Sequence, residues 1–353
     1  FLDGELSTER LIEWCASNDR GPNFATHGSS EKSWNELREE VAAFVKDETG
    51  LLGSIAWQAW LSGRGERFVE LCLVLDAVAP MLGSGSYVEG LLKGQVGVIA
   101  PGWGKALLAQ ARSVAGSPIL DRVLERLEAS SPEKAIAILE RADGLIDDPQ
   151  FRNALAASTR LPSGYAQRTL DLQNALSTVG KLPKKTTFAE LTRAHEALRA
   201  HRQHRRDTAQ LEQQRQMVMR LACYLVSRAE SPVPQPVGPD YQAAIVLAQR
   251  YVAEGAWVDW ARQHVRGLSV PALAQGVSGV LMEVDALRRE DDRLFAKALV
   301  KWFAAGKPSS EVLPISDVSK RVIAELLQED EHRKLLVLLL DGMSWANALE
   351  LLD

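Results

Sequence analysis

The sequence predicts a mainly α-helical protein, a multi-helical array that is followed by the first strand and helix of an α/β domain. Three observations support this fold class. Amphipathic segments with helix-type punctuation recur along most of the 353 residues, and strand-like patterns are almost absent before residue 334. One short apolar run near the end of the sequence has the composition of a buried strand.

Composition sets limits on the class of protein. With 46% hydrophobic residues the chain can bury a sizeable core, and its length suggests two or three domains. The net charge of −5 gives no overall attraction to nucleic acid or to an anionic membrane. The three cysteines have no metal or disulfide spacing, and no apolar run approaches the roughly 18 residues of a membrane helix. We expect a cytoplasmic protein with no membrane partner.

Helix boundaries are marked by glycine, proline and serine. Gly50 is expected to end the helix that begins near residue 33, while Ser131 and Pro132 begin another that ends at Gly144. Further amphipathic segments are expected at about 65–82, 103–128, 162–180, 240–266 and 271–304.

Two proline-containing segments divide the chain. The sequence "ESPVPQPVGPDY" holds four prolines, which neither a helix nor a central strand tolerates, and a second seam follows residue 304. We predict a helical domain at 1–230, a Pro-rich linker at 231–240, a second helical subdomain at 241–314, and the start of an α/β domain at 315–353.

A basic stretch lies inside a segment at about 187–229 that contains neither glycine nor proline. If unbroken, this helix would be about 60 Å long. The residues that could contact phosphate or an acidic partner are Arg199, Arg202, Arg205 and Arg206. The alternative is a long connecting helix with a solvated middle. We favour the alternative and expect no nucleic-acid binding here, because no aromatic residue is interleaved for base stacking.

Tryptophan pairs and histidines in the helices have structural interpretations. Trp57 with Trp60, and Trp257 with Trp260, are spaced as core or partner-interface anchors. His201 and His204 share a helix face, but no carboxylate or cysteine follows at a convincing ligand spacing. We therefore expect no metal at these histidines.

The sequence "KLLVLLLDGMSW" predicts a strand buried on both faces, with Asp341 at its carboxyl end. Ligands and metals bind at this edge of open α/β sheets. Ser344 is placed to cap the helix that follows. A single parallel strand is not stable without neighbours, so we expect the remaining strands in a longer protein.

The sequence "LLVLLLDGMSWANALELL" resembles the first strand and helix of the PglZ domain, a branch of the alkaline phosphatase superfamily found in BREX phage-defence systems. The helical part, with "GSYVEGLLKG" and "GAWVDWARQHVRG", is similar to the amino-terminal region of the type 2 BREX protein of this family.

The resemblance implies a metal-dependent phosphatase or phosphodiesterase in the full-length protein. Asp341 matches a ligand of one of two divalent metals, zinc or similar, while the nucleophile and remaining ligands would lie downstream. Residues 1–353 alone are therefore expected to be catalytically inactive. Other BREX components, such as the methyltransferase, are the implied partners, and self-association stays open.

Alternative functions come from other protein classes. A non-enzymatic helical scaffold with a degenerate α/β domain would explain the helical residues equally well. A Walker B strand of an ATPase also ends in aspartate, but no phosphate-binding loop precedes it in this sequence. A haloacid-dehalogenase strand would need a second aspartate where Met343 stands.

Overall fold

The computed structural model describes residues 6–18, 31–83, 87–231, 242–267, 270–306, 313–328, 332, 334–337 and 344–352. The prediction of a mainly helical protein is confirmed: α-helices dominate these ranges, and no strand occurs within them. No helix among these residues combines the length and the apolar character needed to cross a membrane.

The chain divides into two compact units. Unit 1 comprises residues 1–168 and 197–206, and unit 2 comprises 169–196 and 207–353. The Pro-rich segment at 232–241 lies outside the described residues. The domain boundaries predicted near 231–240 and at 315 both fall within unit 2, and they stay predictions.

Unit 1 is an array of short helices around one central helix. Its described α-helices are α1 (Thr8–Ser17), α2 (Glu31–Leu61), α3 (Gly65–Val78), α4 (Tyr87–Ile99), α5 (Gly104–Ala109), α6 (Ala111–Val114), α7 (Pro118–Ser130), α8 (Pro132–Asp143) and α9 (Pro149–Ala157). Two further helices, α10 (Pro162–Lys181) and α11 (Lys185–Arg199), contribute residues to both units.

Helix α3 is the centre of unit 1. It packs against α1, α2, α6, α7, α8 and α9, and apolar residues cover it on every side, as expected of a helix that is buried all round. Two of its three carboxylates, Glu70 and Asp76, nevertheless have buried side chains, 2% and 9% exposed. Burial forces each of them to find a cationic partner.

Unit 2 contains longer helices. Its described elements after α11 are α12 (Ala209–Glu230), α13 (Gln242–Arg250), a π-helical turn (Tyr251–Gly255), α14 (Ala256–Val265), a 3-10 turn (Pro271–Leu273), α15 (Ala274–Ala304), α16 (Ile315–Val318), a second π-helical turn (Ser319–Ile323), α17 (Ala324–Gln328) and α18 (Trp345–Leu352). Helix α15 packs against α12 and α13, and α14 packs against α12 and α18.

Several predicted helix boundaries are confirmed. Gly50 has a φ of 67° and interrupts α2, and Gly144 follows the last residue of α8. Pro132 occupies the first position of α8, although the Ser131 side chain makes no capping hydrogen bond. Ser344 precedes α18, and its Oγ accepts a hydrogen bond from the backbone N–H of Asn347 at 3.2 Å. This is the capping role predicted for Ser344.

The amphipathic segment predicted at about 103–128 is helical, but it forms three helices, α5, α6 and α7. Gly116 has a φ of 68°, in the left-handed region, and it lies between α6 and α7. Pro118 is the first residue of α7, and the Ser117 hydroxyl caps this helix by accepting a hydrogen bond from the backbone N–H of Ile119. A left-handed glycine ends one helix here, and a proline at the first helical position begins the next.

The long helix predicted at 187–229 is also wrong as an unbroken rod. Helix α11 ends at Arg199, a 3-10 turn spans Arg202–Arg206, and α12 begins after Thr208. The Thr208 hydroxyl accepts a hydrogen bond from the backbone of Leu211. Local propensity allowed a continuous helix here, but tertiary contacts of the basic residues override it.

The tryptophan pair of α2 lies in a small apolar cluster with α1. The ring centroid of Trp60 is 4.6 Å from that of Trp14 and 4.8 Å from that of Trp57. Trp60 is buried, which confirms its predicted role as a core anchor. Trp257 and Trp260 of α14 are half-buried.

The described residues do not show the strand that was predicted near the end of the chain. Residues 334–337 have irregular backbone and exposed side chains, and residues 338–343, which include Asp341, lie outside the described part of the chain. The helix that follows is present as α18, and its Ala346 is fully buried in unit 2.

Two glycines of α15 differ in what an added Cβ atom would meet. A Cβ atom added at Gly276 would lie 2.7 Å from the carbonyl oxygen of Gln173 and 2.8 Å from the Cβ of Leu176, both in α10. A Cβ added at Gly279 would meet nothing within 4 Å. Gly276 is therefore needed for the contact between α10 and α15.

We expect Gly276→Ala to lower the free energy of unfolding by about 1–3 kcal/mol, because the added methyl group collides with backbone. Gly279→Ala, in the same helix, should raise it by up to about 1 kcal/mol, because alanine favours helix. Chemical denaturation followed by circular dichroism measures both. Equal effects of the two substitutions would contradict the close approach.

Candidate functional site

Three of the four arginines predicted as a binding face join Arg160 in an arginine cluster of unit 1, which we define as Arg160, Arg202, Arg205 and Arg206. The last three lie on the 3-10 turn after α11, and they face acidic residues of α7. Arg202 donates two hydrogen bonds to Glu128, at 3.1 and 2.8 Å. The backbone N–H of Arg202 donates to the carbonyl oxygen of Thr159 at 2.9 Å, which fixes the turn.

The outer members of the arginine cluster also pair with α7. Arg205 donates to Glu125 at 3.1 Å, and Arg206 donates to Glu128. Arg199, the fourth residue of the predicted face, is exposed near the end of α11. The expectation that the basic stretch is solvated is therefore wrong for its centre, where Arg202 and His201 are buried.

Arg160, like Arg202, is a buried member of the arginine cluster. Its guanidinium donates to both carboxylate oxygens of Asp121, at 3.0 and 2.8 Å, and to Asp76 of α3 at 2.6 Å. Burial alone would raise the pKa of Asp121, but the hydrogen bond and charge of Arg160, with the charges of Arg202 and Arg205, lower it. The carboxylate stays ionised and holds the guanidiniums in place.

A cavity of about 210 Å³ lies against the arginine cluster, with Arg160, Arg202 and Arg206 in its wall. Each of these guanidiniums is already paired with a carboxylate. A phosphate entering this cavity would have to compete with the acidic residues of α7 and α3. The geometry explains the arginine cluster as a structural network, and contact with an external phosphate or acidic partner stays a prediction.

His201 occupies a buried position beside the arginine cluster. Its Nε2 lies 3.1 Å from the carbonyl oxygen of Leu161, and its Nδ1 lies 3.1 Å from the backbone N–H of Gln203. This arrangement suits the neutral ring, with Nε2–H as the donor and Nδ1 as the acceptor. Burial and the nearby charge of Arg168 lower its pKa from 6.5 to about 4, against the effect of the Leu161 hydrogen bond.

A larger cavity of about 500 Å³ lies in unit 2, beside the π-helical turn Tyr251–Gly255. We call it the π-turn pocket. Its wall is built from α12, the end of α13, the π-helical turn, α14 and α15, through Tyr224, Leu247, Ala248, Arg250, Tyr251, Val252, Glu254, Gly255, Asp259, Arg288, Asp291, Asp292 and Phe295. Single π-helical turns inside α-helices occur frequently at functional sites.

Arg288 is the central charged residue of the π-turn pocket. Its side chain is 6% exposed, and it donates to both carboxylate oxygens of Asp259 at 3.2 and 3.3 Å. It also donates to Asp291 at 3.3 Å and to Asp292 at 3.4 Å. Burial alone would lower its pKa, but the hydrogen bonds and charges of these aspartates raise it. Arg288 therefore stays charged and fixes α15 against α14.

Two tyrosine rings flank these charges. The guanidinium of Arg288 lies 5.2 Å from the ring centroid of Tyr251, and that of Arg228 lies 5.6 Å from the ring of Tyr224. Burial raises the pKa of Tyr251, and the charge of Asp259 raises it further. Burial likewise raises the pKa of Tyr224. Both phenols are therefore neutral hydrogen-bond donors at ordinary pH.

Gly255 makes the close packing around Tyr251 feasible. A Cβ atom at this position would lie 2.6 Å from Cδ2 of Tyr251 and 3.1 Å from Nη1 of Arg288. Any larger residue would push the ring or the guanidinium out of place. Gly255 thus lets the π-helical turn bring an aromatic ring next to a buried cation.

The sequence prediction missed the π-turn pocket. A continuous helix was expected at 240–266, whereas the structure inserts a π-helical turn between α13 and α14. One signal was present in the sequence, the charge-rich "RREDDR" at 288–293, which places acidic and basic residues three and four apart. That pattern does not indicate that α14 and the π-helical turn lie opposite residues 288–293.

The metal predicted for the longer protein cannot be assigned to residues seen in the structure. Within the described ranges, no three His, Cys, Asp or Glu side chains are grouped so that they could hold a metal ion. Asp341 lies outside those ranges. The described residues therefore do not fit a divalent metal site.

We expect Arg160→Met to lower the free energy of unfolding by about 3 kcal/mol, because Asp76 would be left buried without its cation. Arg160 and Asp76 are each only 9% exposed. Arg205→Met is the control: its pair with Glu125 is largely exposed, so the loss should stay below about 1 kcal/mol. The double variant R160M/D76N should recover part of the loss. Urea denaturation of the three variants measures this, and equal losses in R160M and R205M would contradict the assignment.

We expect stability to depend on pH through His201. Because its pKa is lowered to about 4 from 6.5, the unfolded chain binds a proton that the folded chain does not, between those two values. The free energy of unfolding is then highest above about pH 6.5 and falls, on the order of 2 kcal/mol, as the pH drops towards 4. Denaturation at a series of pH values in wild type and His201→Gln measures the effect. An unchanged pH dependence in this variant would show that His201 is not its source.

No protein-family model, curated protein or solved structure matches the chain. We therefore base the functional proposal on the geometry of the π-turn pocket and on the resemblance carried by the sequence.

Proposed function

We propose that this chain is a partner-docking scaffold, the amino-terminal helical region of a PglZ-like protein of a BREX phage-defence system. The observation that carries the docking function is the π-turn pocket of about 500 Å³ in unit 2. Binding sites are commonly cavities of 300–1,000 Å³ with a mostly apolar wall and a few placed polar groups.

The walls of the π-turn pocket have the composition of such a site. Aliphatic and aromatic side chains, including Leu247, Val252 and Phe295, form one part of the wall. Arg288 and its aspartates form another part, held by mutual hydrogen bonds. Because these side chains already fix one another, a partner group would meet a largely preformed site.

The BREX assignment is supported by the resemblance of residues 335–352 to the first strand and helix of the PglZ domain. Under this proposal the full-length protein carries a metal-dependent phosphatase or phosphodiesterase domain, in which Asp341 is one ligand of zinc or a similar metal. The helical region would then act in the cytoplasm by holding other BREX components, such as the methyltransferase.

Two alternatives keep the docking function but change the domain that accompanies it. A degenerate α/β domain would make the whole protein a non-enzymatic scaffold, and a Walker B strand would make it an ATPase. The residues of the whole protein beyond this chain would distinguish these two alternatives from the phosphatase proposal. A serine or threonine nucleophile with further aspartate and histidine ligands would favour the phosphatase.

We expect Val252→Trp to weaken binding of the BREX methyltransferase to the chain at least tenfold, because the indole would fill the π-turn pocket. Val246→Trp is the matched control. The two valines are similarly exposed, at 53% and 49%, but Val246 of α13 lies outside the wall of the pocket. Biolayer interferometry with immobilised chain measures both affinities. Equal affinities would place the docking surface elsewhere, and no binding by wild type would refute the partner.

A further inference from the structure

The charge that reaches solvent in the π-turn pocket is carboxylate. The Asp292 side chain is 71% exposed and that of Glu254 is 40% exposed. By contrast, the two arginines of the wall, Arg288 and Arg250, are 6% and 22% exposed. The most exposed charges of the pocket are therefore these two carboxylates.

The wall of the pocket carries four carboxylates, those of Glu254, Asp259, Asp291 and Asp292, and two arginines, Arg250 and Arg288. Arg228 and Arg262, which are not part of the wall, pair with Asp291 and Asp259. The two exposed carboxylates, Glu254 and Asp292, pair with Arg250 and Arg288. The hydrogen bond from Arg288 to Asp292 is long, at 3.4 Å, so Asp292 can accept a shorter bond from a ligand.

Apolar and aromatic groups in the same wall suit the stem of a long basic side chain. Leu247, Val252 and Phe295 offer carbon surface, and the rings of Tyr224 and Tyr251 add negative π faces. Lysine and arginine bury their methylene groups on apolar surface and keep the charged head among polar groups. Cations are also attracted by tyrosine ring faces.

We propose that the π-turn pocket receives an arginine or lysine side chain of the docked partner protein, with its charged head at Asp292 and Glu254 and its stem along the apolar wall. That the basic side chain belongs to a partner protein rests on the proposed docking function. The preference of the pocket for a cation is independent of that function, because it follows from the charges of the wall alone.

An anionic ligand is disfavoured by the same geometry. Each buried guanidinium is already held by carboxylates: Arg228 donates to both oxygens of Asp291 at 3.0 Å, and Arg288 donates to both oxygens of Asp259. A phosphate or carboxylate would have to pass the exposed Asp292 and displace one of these aspartates. Such a displacement would leave a partly buried carboxylate without its cation.

The experiment uses the chain and small probes of defined charge, followed by NMR chemical-shift titration. The probes are N-acetyl-arginine methylamide and N-acetyl-lysine methylamide, with the norleucine derivative as the neutral probe and the glutamate derivative as the anionic probe. We expect the two basic probes to bind at least fivefold tighter than the norleucine probe, and the glutamate probe to bind most weakly. Binding of the basic probes should weaken as salt is added.

A matched pair of variants on α15 separates a local contact from the general effect of charge. Asp292→Asn should weaken binding of the basic probes about fivefold to tenfold, because an ion pair with the ligand is lost. Glu290→Gln removes the same charge from the same helix. Glu290 pairs with Arg293 and lies outside the pocket wall, so its variant should bind as wild type does.

Each remaining outcome bears on one of the two proposals. Norleucine binding as tight as arginine binding, or tighter glutamate binding, would overturn the cation preference. Equal losses in D292N and E290Q would overturn the contact with Asp292. If spermidine bound a hundredfold tighter than the arginine probe, the ligand of the pocket would be a free organic cation and not a side chain of a partner protein. Basic probes that bind wild type while the methyltransferase does not would support the cation site and refute the docking partner.

Discussion

Buried guanidinium–carboxylate pairs are the constraint on which the helical packing of both units depends. In unit 1, α3 is enclosed by apolar residues yet carries Glu70 and Asp76. The buried Arg160 donates to Asp76 at 2.6 Å. Glu70 accepts from the partly exposed Arg141 of α8 at 2.6 Å and also pairs with Arg67 of α3 itself. An unpaired buried carboxylate would be costly, so the fold needs an arrangement of helices that brings Arg160 to Asp76.

The same kind of pairing borders the π-turn pocket of unit 2. Arg288 draws α14 and α15 together through Asp259, and Arg228 links α12 to α15 through Asp291. The charged side chains beside the π-helical turn are held by these ion pairs. The π-turn pocket therefore has a wall that is partly aromatic and partly charged.

The position of the arginines decides what each cluster can do. Arg202 and Arg160 face carboxylates of α7 and α3, so the positive charge of this part of the sequence is used within unit 1. In the π-turn pocket, Asp292 pairs with Arg288 at 3.4 Å but remains largely exposed. The centre of the basic stretch is thus paired within unit 1, whereas the charged run at 288–293 contributes an exposed carboxylate to the π-turn pocket.

The sequence by itself determined that the chain is helical and where several helices begin and end, because those signals are local. Gly50, Gly144 and the Ser344 cap act through the backbone of their own turn. Only the tertiary structure decided that the helix breaks after Arg199, that a π-helical turn follows α13, and which carboxylates meet which arginines. Those features depend on residues that are far apart in the sequence, such as Arg205 and Glu125, which are 80 positions apart. A local pattern cannot specify a partner that only packing brings near.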